Sequence, residues 1–155
     1  IGRRGAPFFM IKFRSMRVGA DAQLAALLEA QGTSATPLFK VKDDPRITPV
    51  GRVIRKYSLD ELPQLFNVIN GSMSLVGPRP QIAAEVALYD QAARRRLLAR
   101  PGITGLWQVS GRSLLDWDQT VRLDLYYVEN WSLLGDVSIL ARTAKALVAP
   151  GQTAH

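Results

Sequence analysis

The sequence predicts an α+β fold: a mostly helical single domain with an N-terminal β-hairpin and short strands. Apolar residues recur at helical spacing in several separate stretches, an aromatic and β-branched run occupies residues 7–13, and Gly- and Pro-rich segments punctuate the helical patterns. At 155 residues the chain suits one core, and a domain of this size buries roughly 70% of its unfolded surface. Residues 1–150 form that domain, and 151–155 read as a frayed tail.

Residues 1–19 read as the hairpin, with Gly2 to Ala6 as its turn region. Its strand has Phe9, Ile11 and Phe13 on one face and Phe8, Met10 and Lys12 on the other. Asp21 can cap a short helix through Ala30, residues 32–37 form a loop, and Leu38 to Val41 form a brief strand. A polar turn at 42–46 leads to Thr48, which caps a helix over residues 49–56 that carries Arg52 and Arg55.

The next helix begins near Asp60 and ends near Asn70 and Gly71, with Leu62, Leu65, Phe66 and Ile69 on one face. Ser58 and Glu61 have capping-box spacing, but Pro63 would then fall where its missing N–H breaks the ladder. With Asp60 at or near the cap, Pro63 lies in the first turn and the carboxylate sits beside the positive helix end, which favours its ionised form. Capping and a functional role both remain open from this stretch alone.

Pro78 and Pro80 stiffen the loop around Arg79, so aiming that long side chain costs less further entropy. A helix from Pro80 follows, striped by Ile82, Val86, Tyr89, Ala93 and Leu97, and Arg94 to Arg96 read most simply as its solvated face. Residues 101–112 are dense in turn residues around a short strand, Leu106 to Val109. Helices over residues 115–130 and 133–149 complete the chain, the last striped by Leu133, Val137, Leu140, Ala144 and Leu147 as a core or partner face. In the first of these Asp124 lies between Val121 and Val128 on the apolar face and needs a partner, an Arg or a metal. Asp136, at the start of the last helix, reads locally as a dipole partner.

Composition narrows the chemistry. The formal charge is +7, carried by 15 Arg against 5 Lys, which favours phosphate-bearing partners without choosing among nucleic acid, lipid headgroup and nucleotide. There is no Cys, and the one His is the terminal His155, so thiol nucleophiles, thiolate zinc sites and histidine acid–base catalysis are excluded or disfavoured. The longest uncharged run, 62–78, is interrupted by polar residues and shorter than the ~20 apolar residues of a spanning helix. What remains is a pair of adjacent acids, Asp60 and Glu61, together with Arg55, Arg79, Arg112 and the oddly placed Asp124. Such an inventory suits phosphoryl chemistry, in which a carboxylate acts as nucleophile or metal ligand and cations neutralise charge. Walker, dinucleotide-binding and zincin motifs are absent.

Five stretches carry a resemblance: K-F-R-S-M at 12–16, D-P-R-I-T-P-V-G-R-V-I-R at 44–55, S-L-D-E-L-P-Q-L-F-N-V-I-N-G-S-M-S-L-V-G-P-R-P at 58–80, R-P-G-I-T-G-L-W-Q-V-S-G-R at 100–112 and D-L-Y-Y-V-E-N-W-S-L-L-G-D at 124–136. In this order they resemble the bacterial sugar transferases, the monotopic polyprenyl-phosphate phosphoglycosyl transferases, and most of all the C-terminal catalytic domains of hexose-1-phosphate transferases. The resemblance implies transfer of a sugar-1-phosphate from a UDP-sugar to undecaprenyl phosphate at the cytoplasmic face of the bacterial inner membrane. It implies Asp60 as nucleophile, Glu61 as its dyad partner, and Mg²⁺ held at Asp60 and Glu61. Arg55, Arg79, Arg112 and Lys12 would meet phosphate or nucleotide, with Asp124 and Asp136 supporting the site. The family's hydrophobic re-entrant helix is not found in these residues, so this stretch is expected to keep the dyad geometry but to transfer poorly to a lipid acceptor. A homo-oligomer is compatible with this reading. A basic nucleic-acid-binding module and an inactive assembly scaffold are the alternatives, and both leave the acid pair and arginine set unexplained.

Overall fold

The computed structural model describes residues 1–24, 26, 44–111 and 115–148. Thr48 starts the first helix where its sequence signals place it. Its Oγ1 accepts from the Gly51 amide at 2.9 Å, Pro49 fills the first turn, and α1 runs Pro49–Lys56. A 3₁₀ turn, Leu59–Glu61, leads through Pro63 into α2, Gln64–Ile69. Strand β1, Ser74–Val76, pairs in parallel with β2, Gly102–Thr104, and the crossover holds α3, Ala83–Val86, and a 3₁₀ helix, Ala93–Leu98. The chain then forms α4, Leu106–Ser110, α5, Trp117–Glu129, and α6, Leu133–Val148. Asp116 caps α5 and exchanges bonds with Gln119 in a capping box.

The two-stranded sheet leads from β1 directly into the loop at residues 77–81. Its strands continue into backbones so close that a Cβ on Gly102 would lie 2.1 Å from the Gly77 nitrogen, which only glycine tolerates. Val76, Tyr127 and Ile139 form the apolar core, with Leu106, Val109 and Val128 packed against it. Polar side chains fill much of the remaining interior: Asn67, Thr120 and Asp124 are all fully buried.

Several sequence expectations are corrected. No N-terminal hairpin forms. Residues 3–5 make a 3₁₀ turn, and the following extended segment bonds to groups far along the chain instead of to a second strand. The Ile11 amide donates to Asn67 Oδ1 at 3.0 Å, the Phe13 amide to the Asp60 carbonyl at 3.0 Å, and Met16 bridges to Ile47. The expected helix over 82–97 is broken, because Asp90 Oδ1 accepts from the Ala93 amide at 2.6 Å and starts a separate helical turn. Residues 106–109 are helical, and the strand lies just before them at Gly102–Thr104. In α6 the stripe expected as a core or partner face is not core: Leu133, Val137 and Leu140 face out while Ile139 faces in. The expected helix after Asp21 and the strand at 38–41 fall largely outside the described residues.

Asn67 ties the N-terminal segment to α2. Its Nδ2 donates to the Phe9 carbonyl at 2.7 Å and to Ser72 Oγ at 3.1 Å, while its Oδ1 takes the Ile11 amide. Asn67→Ala is expected to cost roughly 1–3 kcal/mol in chemical denaturation and to speed exchange of the Ile11 amide. Unchanged protection of that amide would show that other contacts hold the segment.

Candidate active site

The site is built where the extended N-terminal segment crosses the 3₁₀ turn before α2. The α-helix does not start at Asp60. Ser58 adopts a left-handed conformation with φ 53°, makes no side-chain cap, and leaves the capping box unformed. Pro63 stands at the cap of α2, so its missing N–H costs nothing. This turn buries Asp60 and leaves Glu61 half-buried beside it.

Cations converge on the pair. Lys12 Nζ lies 2.8 Å from Glu61 Oε1, and the charges of Lys12 and Arg55 both act on Asp60. Burial nevertheless raises the Asp60 pKa above the ordinary aspartate value, with the Glu61 charge adding to the rise and the two cations only partly offsetting it. With α2 starting at Gln64 and not at Asp60, desolvation and the neighbouring acid set the direction, opposite to the ionised form expected from a helix dipole.

Arg79 comes from the loop after β1. Burial lowers the pKa of its guanidinium, while the charges of Glu85, Asp124 and Glu61 act in the opposite direction, and the group remains a cation. Its Cζ lies 5.2 Å from the centre of the Trp107 ring, a cation–π contact that braces the side chain. The Arg79 amide donates to Asp124 Oδ2 at 3.1 Å. Asp124, fully buried on α5, has the partner its position demanded: Arg96 ion-pairs with it. Burial holds the Asp124 carboxyl up at about 6 against the opposing pull of Arg96.

Asp60, Glu61, Lys12, Arg55 and Arg79 are thus linked by contact or charge, and Asp124 reaches them through the Arg79 backbone. Asp136 belongs to a different set. It accepts from Tyr127 at 2.9 Å and from Trp131 at 3.0 Å, and so organises the junction of α5 and α6. Arg112 lies outside the described residues. Sequence reasoning missed Arg96, Trp107 and Asn67 as organisers. For Arg96 a signal existed, since it continues the 89, 93 spacing of the buried Tyr89 and Ala93.

A buried, paired carboxylate facing several cations defines a centre suited to phosphoryl groups, able to attack phosphorus or to hold a cation against phosphate oxygens. The chain belongs to the bacterial sugar transferase family, whose profile matches residues 1–150. It is 50% identical over 151 residues to the undecaprenyl-phosphate galactose phosphotransferase of Salmonella typhimurium, covering 96% of this chain and 32% of that protein. It is 47% identical over 150 residues to the exopolysaccharide production protein ExoY of Sinorhizobium fredii, covering 95% of this chain and 66% of that one. To the UDP-glucose:undecaprenyl-phosphate glucose-1-phosphate transferase of Xanthomonas campestris it is 41% identical over 151 residues, covering 92% of this chain and 29% of the relative. Against several of these curated relatives the chain spans about a third of their length.

Proposed function

We propose that this chain is the catalytic part of an enzyme that moves a sugar-1-phosphate, of the hexose class, from a UDP-sugar to undecaprenyl phosphate and releases UMP. The observation that carries it is the buried Asp60 beside Glu61, with the charges of Lys12 and Arg55 acting on Asp60 and Arg79 coupled by charge to Glu61, in a member of this family. In the first step an Asp60 carboxylate oxygen bonds to the sugar-bearing phosphorus, and the bond from that phosphorus to the bridging oxygen breaks, its electrons leaving with UMP. An oxygen of the lipid phosphate then attacks the same phosphorus and returns the Asp60 carboxylate. Arg55 and Arg79 hold the phosphates during both displacements, and Lys12 fixes the Glu61 carboxylate.

Among the described residues no three His, Cys, Asp or Glu side chains are grouped so as to share a metal ion. Two adjacent carboxylates plus a substrate diphosphate is nonetheless the donor set that Mg²⁺ accepts, so Asp60 and Glu61 fit it. Bound there, Mg²⁺ offsets diphosphate charge.

The membrane supplies the lipid acceptor. Helix α2 is inverted: Gln64 and Asn67 are each 2% exposed, whereas Phe66 is 65% and Ile69 81% exposed, and Phe9 and Phe13 of the adjoining segment also face out. No helix among the described residues is long and apolar enough to cross a membrane. An apolar face next to the acid pair, on a chain of charge +7, suits the interface of an anionic bilayer at the cytoplasmic side of the inner membrane. The double variant Phe66→Asp with Ile69→Asp is expected to lose at least tenfold in sedimentation with phosphatidylglycerol vesicles while keeping its Tm. Undiminished binding would move the membrane face elsewhere.

The reaction is tested by incubating the full-length protein that contains this chain with UDP-sugar and Mg²⁺ without acceptor, then mapping peptides by mass. A phosphosugar adduct on the Asp60 peptide is expected. Release of UMP with acceptor but no adduct under any quench would replace the covalent route with direct transfer.

A further inference from the structure

Arg96 is 2% exposed, unlike its exposed neighbours Arg94 and Arg95, and the reaction described above leaves it without a task. Arg95 makes a surface pair with Glu129 and a long bond from its Nε to the Ala92 carbonyl. Arg96 instead spans three parts of the fold. Its Nη1 donates to the Tyr89 hydroxyl, which in turn donates to Gln81 Oε1, and its Nη2 donates to Asp124 Oδ2 and, at 3.4 Å, to the Arg79 carbonyl. Asp124 Oδ2 also accepts the Arg79 amide. Both backbone polar groups of Arg79 are therefore held by one buried ion pair. Pro78 and Pro80 on either side have fixed φ and no N–H, so Arg79 carries the only amide in this stretch that can be tied.

Stability alone does not account for a cation here, because well-packed apolar residues commonly replace a buried ion pair at no loss. What the pair provides is direction. With the Arg79 backbone held from both sides and its guanidinium braced on Trp107, the side chain keeps one bearing, on which the Glu61 charge acts. We infer that Arg96 is a positioning residue, clamping the loop Gly77–Gln81 through Asp124 and Tyr89 so that Arg79 stays aimed at the phosphates beside Asp60 and Glu61. The inference rests on the phosphate role of Arg79 given under the proposed function.

The test measures UMP release by the full-length protein with UDP-sugar, Mg²⁺ and undecaprenyl phosphate, together with hydrogen exchange of the Pro78–Pro80 segment, whose one exchangeable amide is Arg79. Arg96→Gln is expected to lower UMP release by about 100-fold, as a misplacement near 1 Å does. Arg96→Lys should recover part of it, since it keeps the charge beside Asp124 but lacks the fork that also reaches Tyr89 and the Arg79 carbonyl. In an Arg79→Gln background, Arg96→Gln should remove less than about twofold more, because both changes abolish one function. A full 100-fold further loss in that background would overturn the clamp. So would unchanged exchange of the Arg79 amide in both Arg96→Gln and Arg96→Lys. If the parent protein releases no UMP, the functional reading fails, while faster or unchanged exchange at Arg79 still decides for or against the clamp. Where Arg96→Gln does not fold, the Arg96→Lys exchange and rate decide alone.

Discussion

Asp60→Asn is expected to end UMP release, with a loss on the order of 10⁵–10⁶-fold as for removal of other covalent nucleophiles. An amide oxygen is too weak a nucleophile to form the phosphoryl ester, and the chain has no thiol to replace it. Glu61→Gln keeps the nucleophile and should leave a crippled but measurable rate. The same Asp60 variant should be more stable than the parent at neutral pH. Burial raises the folded-state pKa of Asp60 above its value in the unfolded chain. Its contribution to stability is therefore full below the unfolded value and is lost as pH rises through the folded one. Asn, which never ionises, escapes that loss. Thermal melts should show the Asn variant above the parent at pH 8, with the gap closing on acidification, while the parent's rate falls as pH drops through the raised pKa. A melt gap that widened toward acid would mean that the Asp60 charge stabilises the fold.

Asp124→Ala is expected to be the most damaging stability change at the site. It leaves the Arg96 cation buried with its acceptor gone and unties the Arg79 amide. Removing one partner of a buried ion pair costs about 3–5 kcal/mol, a large share of the roughly 5–15 kcal/mol that holds a domain together. Asp124→Asn should cost far less. Its amide oxygen can take the place of Oδ2 toward Arg96 and the Arg79 amide, and burial already disfavours the charge, holding the carboxyl up at about 6. The sign follows as for Asp60: the stability that a protonated Asp124 contributes is full below the unfolded value of 3.8 and is lost as pH rises through about 6. The Asn variant should compare best with the parent above pH 6. Urea denaturation of parent, Asn and Ala chains at pH 5 and pH 8 measures this, and an Asn variant as unstable as Ala at pH 8 would mean that the charge itself holds the pair.

Helix limits set by nearby residues were legible before the structure. Thr48 and Pro49 act on partners within four residues, so spacing reveals them. The acid pair was legible for the same reason, and Asp124 was legible as an acid that needed a partner. The partner itself was not. Arg96 lies 28 residues from Asp124, within a run of three arginines that local pattern assigns to solvent. The N-terminal segment shows the same limit: its strand-like composition is real, yet its hydrogen bonds go to Asn67, 56 and 58 residues away, and no hairpin forms.

The sidedness of α2 and α6 marks the boundary most clearly. Period alone shows that Leu62, Leu65, Phe66 and Ile69 share a face, but it assumes that this face turns inward. In this fold Gln64 and Asn67 are the inward residues, and Asn67 gives the N-terminal segment crossing α2 the hydrogen-bond partners that an apolar side chain cannot supply. By itself the sequence determined a mostly helical domain with short strands, the family, the acid pair and the cations available to it, since these depend on residue type and short spacing. Only the tertiary structure decided that Asp60 is buried, which arginine clamps Arg79 and which apolar face stays exposed. Burial, and the electrostatics that follow from it, depend on chain segments far apart in sequence.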